Sequence, residues 1–260
     1  MAAVIRPRRH VNINVWRLVI LVAGIAGWWL IAKLAGGNFI PTPPQTVAAA
    51  IAIGSDGTLA RATLDTTIVF LSGYVLAAVV SIPCGLIMGG VRVIGAAFEP
   101  YVDALSAMPR VAFIPLIIVF LGLGFPAKIA IVFLGAAMPI LINTYTGVLN
   151  CDGELVEMAR SAGATESQVF RKIMLPGALP YITAGLRVGA SLALINTVVA
   201  ELYTAVKGLG GLLSVYGNSF RMAPYFVVVF VLGALGVIVM QSLRILERNA
   251  DRWRYDSEHH

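Results

Sequence analysis

Charge is scarce in this sequence. Only 12% of its 260 residues are Asp, Glu, Lys or Arg, about half of the roughly 25% that a soluble domain carries. A water-soluble fold of this length could not cover its surface with so few charges, which excludes an ordinary soluble enzyme. Histidine is nearly absent: the three copies are His10, His259 and His260, all terminal, and the last pair is either native or the stub of a tag. No histidine is left in the body of the chain for a metal site or a Ser–His dyad. The two cysteines, Cys84 and Cys151, supply no disulfide or metal framework, and Cys84, inside an apolar run, reads as a packing residue. No G-x-x-x-x-G-K-[ST] phosphate loop and no H-E-x-x-H occur. Val206-Lys207-Gly208-Leu209-Gly210-Gly211 is glycine-rich but lies on the face where ATP is not expected. The chain is therefore not read as an enzyme, and no cofactor is expected on it.

Apolar residues are abundant: 58% hydrophobic, with a mean hydropathy of +0.86. Disorder is excluded by the same composition. The apolar surface belongs in a bilayer, whose hydrocarbon core needs about 20 apolar residues per helical crossing. Six candidate spans follow: 15–35, 64–90, 111–123, 127–149, 182–205 and 225–246. The third is short, preceded by Pro109 and interrupted by Pro115, so a re-entrant segment is the alternative there. An uncleaved first span is favoured over a signal peptide, with Trp28 and Trp29 suited to an interface belt.

Lys and Arg collect on cytoplasmic flanks. Arg6, Arg8, Arg9 and Arg17 precede the first span, Arg160, Arg171 and Lys172 follow the fourth, and Arg244, Arg248, Arg252 and Arg254 follow or close the sixth. Six spans put all three clusters on one face and leave Lys33, Arg61, Lys128, Lys207 and Arg221 on the other. The expected organisation is a cytoplasmic tail 1–14, a six-span domain 15–249 and a cytoplasmic tail 250–260. The net charge of +6 is thus a topology signal, with no nucleic acid implied.

Residues 150–181 form the soluble segment with a definite design. Asp152 is a candidate N-cap for Gly153–Ala162, in which Leu155, Met158, Ala159 and Ala162 recur at helical spacing. Gly163 supplies the left-handed residue that ends a helix. Thr165 and Gln168 fit a capping box, Val169, Phe170, Ile173 and Met174 form a second apolar stripe, and Pro176 is expected to stop it. Such a helix–Gly–helix either lies on lipid headgroups or docks a soluble partner. The mixed charge of Glu154, Glu157 and Arg160 argues against the lipid surface.

Intramembrane polar residues are costly and mark function by default. Glu201 is read either as a polar anchor or gate at the mouth of a pathway, or as a helix-end residue paired with Lys207. Asn196 and Thr197, mid-span, either bond between helices or line a solute path. Asp65 is read as favouring the dipole at the start of span two, Lys128 begins span four, and Arg187 snorkels. Gly24, Gly73, Gly85, Gly135, Gly185 and Gly189 are expected to allow close helix approach, the last two at a dimer axis. Pro83, Pro115 and Pro139 are candidate hinges.

The run Glu157-Met158-Ala159-Arg160-Ser161-Ala162-Gly163, followed by Ile173-Met174-Leu175-Pro176, resembles the E-A-A…G…I-x-L-P signature of permease subunits of bacterial ABC importers, with Met158 replacing the first alanine. Pro41–Pro44, Met108-Pro109, Ile114-Pro115, Gly122-Leu123-Gly124, Leu179-Pro180, Gly185-Leu186-Arg187, Ala200-Glu201 and Gly208-Leu209-Gly210 resemble the branch handling sulfonates, taurine, nitrate and thiamine precursors. The resemblance implies an all-α type I importer permease fold in the bacterial inner membrane, with a second permease copy, a cytoplasmic ATPase dimer that binds ATP and Mg, and a periplasmic or lipid-anchored solute-binding protein. It implies that Asp152–Gly163 is a coupling helix, with Glu154, Glu157, Met158, Ala159, Gly163, Leu175 and Pro176 facing or shaping the ATPase contact. The rivals are an ATP-independent secondary transporter or channel using Glu201 or Asp65, and a membrane scaffold without solute flux.

Overall fold

A computed structural model describes residues 13–36, 39–204 and 207–257, with 246–257 as backbone. The side chains of Arg6, Arg8, Arg9, Arg248, Arg252 and Arg254, both C-terminal histidines and the expected span end at 205 lie outside the described residues, and the last helix continues past the expected end at 246 to Ser257. Every described element is helical. Five helices are long and apolar enough to cross a bilayer, or six if a bent pair is counted as one span.

The first span is α1 (Ile13–Leu34). A short α2 (Pro43–Ser55) follows and begins at the prolines themselves. Pro43 and Pro44 occupy a first turn whose N–H groups have no intrahelical acceptor, and the Thr42 N–H donates to Gln45 Oε1 at 2.8 Å. Next comes α3 (Thr58–Gly90). Just before it, the Asp56 carboxylate accepts from the Thr58 N–H at 2.8 Å, which holds its pKa below the usual value. Asp65 thus sits two turns inside α3, outside the reach of the helix-end dipole.

The third span differs most from expectation. Helix α4 (Arg92–Ala107), a 3-10 turn (Arg110–Phe113) and α5 (Ile114–Leu121) form a pair bent by 86°. Pro109 causes the break: it drives Met108 into an extended conformation, ψ 137°, because the residue before a proline clashes in the α region. The hydropathy reading missed α4 because Arg92, Glu99, Pro100 and Asp103 interrupt its apolar run.

Helices α6 (Phe125–Leu149) and α9 (Leu175–Thr204) pack with α3 into the centre of the fold. Phe70, Val132, Ile140, Ala190 and Ala193 are buried in this core. Small residues set the approach, as expected where lipid provides no hydrophobic contrast. A Cβ added at Gly73 would meet Val132, and one at Gly85 would meet Thr144. Gly185 and Gly189 lie against Asn143 and Ile140 of α6, so this pair closes the core of one chain and is not free for a dimer axis. Gly24 has nothing within 4 Å.

Helix α10 (Leu209–Asn218) and the start of α11 (Met222–Ser257) cap one end, where Ile53, Ala62, Leu209, Leu213, Tyr216 and Val228 form a second buried cluster. Trp28 stacks on Phe226, 6.2 Å between centroids at 12°; it ties α1 to α11, and Trp29, 46% exposed, is the member of the pair that faces outward. The opposite end carries the segment between α6 and α9.

Candidate functional site

Two constructions at opposite ends of the core position the candidate residues. The first follows α6. Asp152 Oδ1 accepts from the Glu154 N–H at 2.9 Å and starts α7 (Gly153–Ser161). Gly163 ends it at φ +84°. The Gly163 N–H donates to Arg160 O at 2.9 Å and the Ala164 N–H to Ala159 O at 3.0 Å, the paired bonds of a Schellman cap. Thr165 then starts α8 (Glu166–Val169): its N–H donates to Gln168 Oε1 at 2.8 Å and its hydroxyl accepts from the Gln168 N–H at 3.4 Å. Arg160 and Glu166 pair across the turn at 2.9 Å, and the bonded carboxylate raises the Arg160 pKa.

Pro176 does not stop the second helix. The chain runs helically from Glu166 to Thr204 through a π-helical segment, Phe170–Met174, in which the Leu175 N–H reaches Phe170 O. A proline removes the donor for the carbonyl four residues earlier, and the wider π turn absorbs that loss. Leu175 and Pro176 therefore join the hairpin to α9 without a break. Phe170 packs against Gly90 at the end of α3, and Cys151 against Gly177.

The burial of α7 adds a residue that the sequence reading did not single out. Val156 is its buried residue, whereas Leu155 and Met158 are 45% and 64% exposed. The expected apolar stripe points away from the protein. Glu154 and Glu157 are exposed beside it, Ala159 is half-buried, and Ala159, Ala162, Gly163, Gln168, Lys172 and Ile173 border a cleft of about 340 Å³. Periodicity identifies a stripe but not which side of it the partner occupies. Asp152→Ala should loosen α7 by about 1 kcal/mol, the usual value of an N-cap. Amide exchange across Glu154–Val156 would read it as severalfold faster exchange, without a change in the core.

The second construction surrounds Glu201, which is fully buried and not at a wet helix end. Its Oε2 accepts from Thr66 Oγ1 at 2.9 Å and from the Gly210 N–H at 2.8 Å, while the Leu209 N–H donates to Thr66 Oγ1 at 2.8 Å. One carboxylate thus joins α3, α9 and the start of α10. The expected partner Lys207 is exposed, and its carbonyl accepts from the buried Lys128 Nζ at 3.3 Å. A cleft of about 410 Å³ opens beside this cluster, bordered by Asp65, Gly124, Phe125, Lys128 and Lys207.

Neither mid-span candidate bonds between helices. Thr197, fully buried, donates back to Ala193 O at 2.8 Å. Asn196, half-buried, donates to Leu192 O at 2.8 Å, and its amide lies against Gly135.

Residues 81–252 match the family described as binding-protein-dependent transport system inner membrane component. The chain belongs to this family. It is similar to a probable ABC transporter permease of Brucella abortus, 31% identical over 91% of this chain and 94% of that one. It is also similar to the taurine transport system permease TauC of Escherichia coli, 27% identical over 94% and 90% respectively. Among solved structures, the inward-facing MetNI methionine ABC transporter matches with a TM-score of 0.60, covering 74% of this chain and 95% of that one at 23% identity. That match shows the type I importer permease fold. The permease is a multi-pass membrane protein, and its core α3, α6 and α9 lies within or overlaps the matched segment.

The sequence pattern missed Arg110. In the permease its Nη1 donates to Gly135 O at 3.0 Å, an interaction between elements that no local pattern signals.

Proposed function

We propose that this permease forms the solute pathway of an ABC importer and is driven through α7 and its Gly163 cap by a separate cytoplasmic ATPase that binds ATP and Mg. The observation that carries the reading is the outward apolar face of α7, Leu155 and Met158, held on a capped, rigid hairpin whose second helix is continuous with α9. A push on such a face moves α9 directly. Glu154 and Glu157 beside the stripe would meet basic residues of the partner groove, and Ala159 would let that partner come close. The hairpin end also carries Arg160, Arg171 and Lys172, which fits a cytoplasmic location with both termini on the same side.

In this reading two permease copies enclose the pathway, a periplasmic or lipid-anchored binding protein delivers the solute, and Glu201 anchors the outer gate formed by α10. Thr197 and Glu201, sealed inside one chain, act on the pathway through packing, while Asn196 is the mid-span candidate with exposed surface. The solute is a small anion or heterocycle of the sulfonate, taurine, nitrate or thiamine-precursor kind; the near full-length similarity to TauC supports this class. ATP binding can shift the two access states only by its differential affinity for them.

Deleting the gene for this chain tests the substrate class. Growth on taurine or an alkanesulfonate as sole sulfur source, on nitrate as sole nitrogen source, or on a thiamine precursor should be lost in one of these conditions and restored by the wild-type chain. Unchanged growth on all of them would reject the class. An ATP-independent transporter would instead take up solute in liposomes containing this chain alone.

A further inference from the structure

The bent third span leaves a cation at membrane depth. Arg110 follows the break between α4 and α5, half-buried, and donates to Gly135 O at 3.0 Å. Gly135 lies ten residues inside α6, about 15 Å from one helix end and about 21 Å from the other at 1.5 Å per residue. Lipid headgroups do not reach that depth.

The contact has a structural cause. Pro139 lies inside α6 and has no N–H, so the carbonyl four residues earlier, that of Gly135, lacks its helical donor. Arg110 supplies the missing bond. A neutral amide would do the same without placing a charge where charge is expensive. The guanidinium has five N–H donors and spends one on Gly135, and among the described residues no carboxylate lies within ion-pair distance of it. Glu99 and Asp103 of the same span lie in the field of Tyr145, ten residues further along α6. Asn196, on α9, lies against the same Gly135. Non-helical backbone at membrane depth persists only where it is covered by protein or lines a water-filled space.

We infer that Arg110 is an anion-receiving group midway along the pathway, taking small monovalent anions such as sulfonates. The inference rests on the chain being a transport permease and deepens that reading by giving the solute's charge a residue to meet.

The test uses thiol reagents of opposite charge on the assembled complex in membrane vesicles, with Cys84 and Cys151 replaced by alanine and Met108→Cys, at the 44% exposed residue before the break, as reporter. The probes are the ethylsulfonate (anionic) and ethyltrimethylammonium (cationic) methanethiosulfonates, with the neutral methyl reagent as the measure of accessibility. Arg110→Gln keeps an N–H donor for Gly135 and removes the charge. The anionic-to-cationic rate ratio should fall about tenfold in Arg110→Gln, as expected for removing one nearby charge, and be retained in Arg110→Lys. The neutral rate should be unchanged in both. An equal ratio in Arg110→Gln, or no reaction with any reagent at Met108→Cys, would overturn the inference. The ratio is read without ATP or transported solute, so failure of the importer mechanism would leave it intact.

Discussion

Gly208→Ala is expected to destabilise the protein by more than about 3 kcal/mol. Gly208 has φ +93° and ψ 176°, a region that is essentially reserved for glycine and costs about 1–3 kcal/mol for other residues. The larger effect is steric. A Cβ there would fall on the Glu201 carboxyl group, which is fully buried and joins Thr66 to the Gly210 N–H. Displacing it leaves a buried carboxyl group and its donors without their hydrogen bonds, about 1–3 kcal/mol for each group left unsatisfied. The melting temperature in detergent should fall on the order of 10 °C, given roughly 2–4 °C per kcal/mol for a chain of about this size. The double variant Gly208→Ala, Glu201→Ala removes the collision and keeps the backbone strain, so it should melt above Gly208→Ala alone. A Gly208→Ala protein melting within about 2 °C of wild type would show that the carboxylate does not hold α10.

Gly163→Pro is expected to abolish solute uptake while leaving the spans inserted. The cap requires φ +84° at this residue and an N–H donating to Arg160 O. Proline holds φ near −65° and has no N–H, so both requirements fail and α7 loses its direction relative to α8. Gly163→Ala retains the N–H and faces only the left-handed penalty of about 1–2 kcal/mol, so it should reduce uptake partially. The hairpin is exposed and contributes little to the core, so the melting temperature of either variant should stay near wild type. Uptake and ATP hydrolysis would be measured on the same preparations: hydrolysis persisting without uptake is the expected result for Gly163→Pro. Normal uptake in Gly163→Pro would remove α7 from the coupling route.

The hairpin was legible because its determinants are local. Asp152, Gly163, Thr165 and Gln168 each act within a few residues, and the structure shows the bonds that their spacing implies. Its orientation was not legible: Val156 faces inward and Leu155 and Met158 outward, and periodicity alone does not say which side of a helix packs on the protein. Pro176 was misread as a stop because sequence does not show that the preceding turn can widen into a π segment. The third span was half-hidden, since α4 mixes Arg92, Glu99 and Asp103 with apolar residues and becomes recognisable only when packed. Contacts remote in sequence could not be read at all. Glu201 meets Thr66 across 135 positions, and Arg110 meets the carbonyl left free by Pro139 across 25. Both are polar groups whose burial in the structure, more than their sequence neighbours, defines what they do.

In the proposed mechanism the exposed face of α7 receives the motor. The most direct measurement is mild-detergent purification of this chain from its own host, followed by identification of bound subunits and assay of ATP hydrolysis, for the wild type and for Glu157→Lys. An ATPase subunit is expected to co-purify with the wild type and to be lost from Glu157→Lys, whose spans remain folded. A chain that purifies alone and moves solute in liposomes without ATP would contradict it.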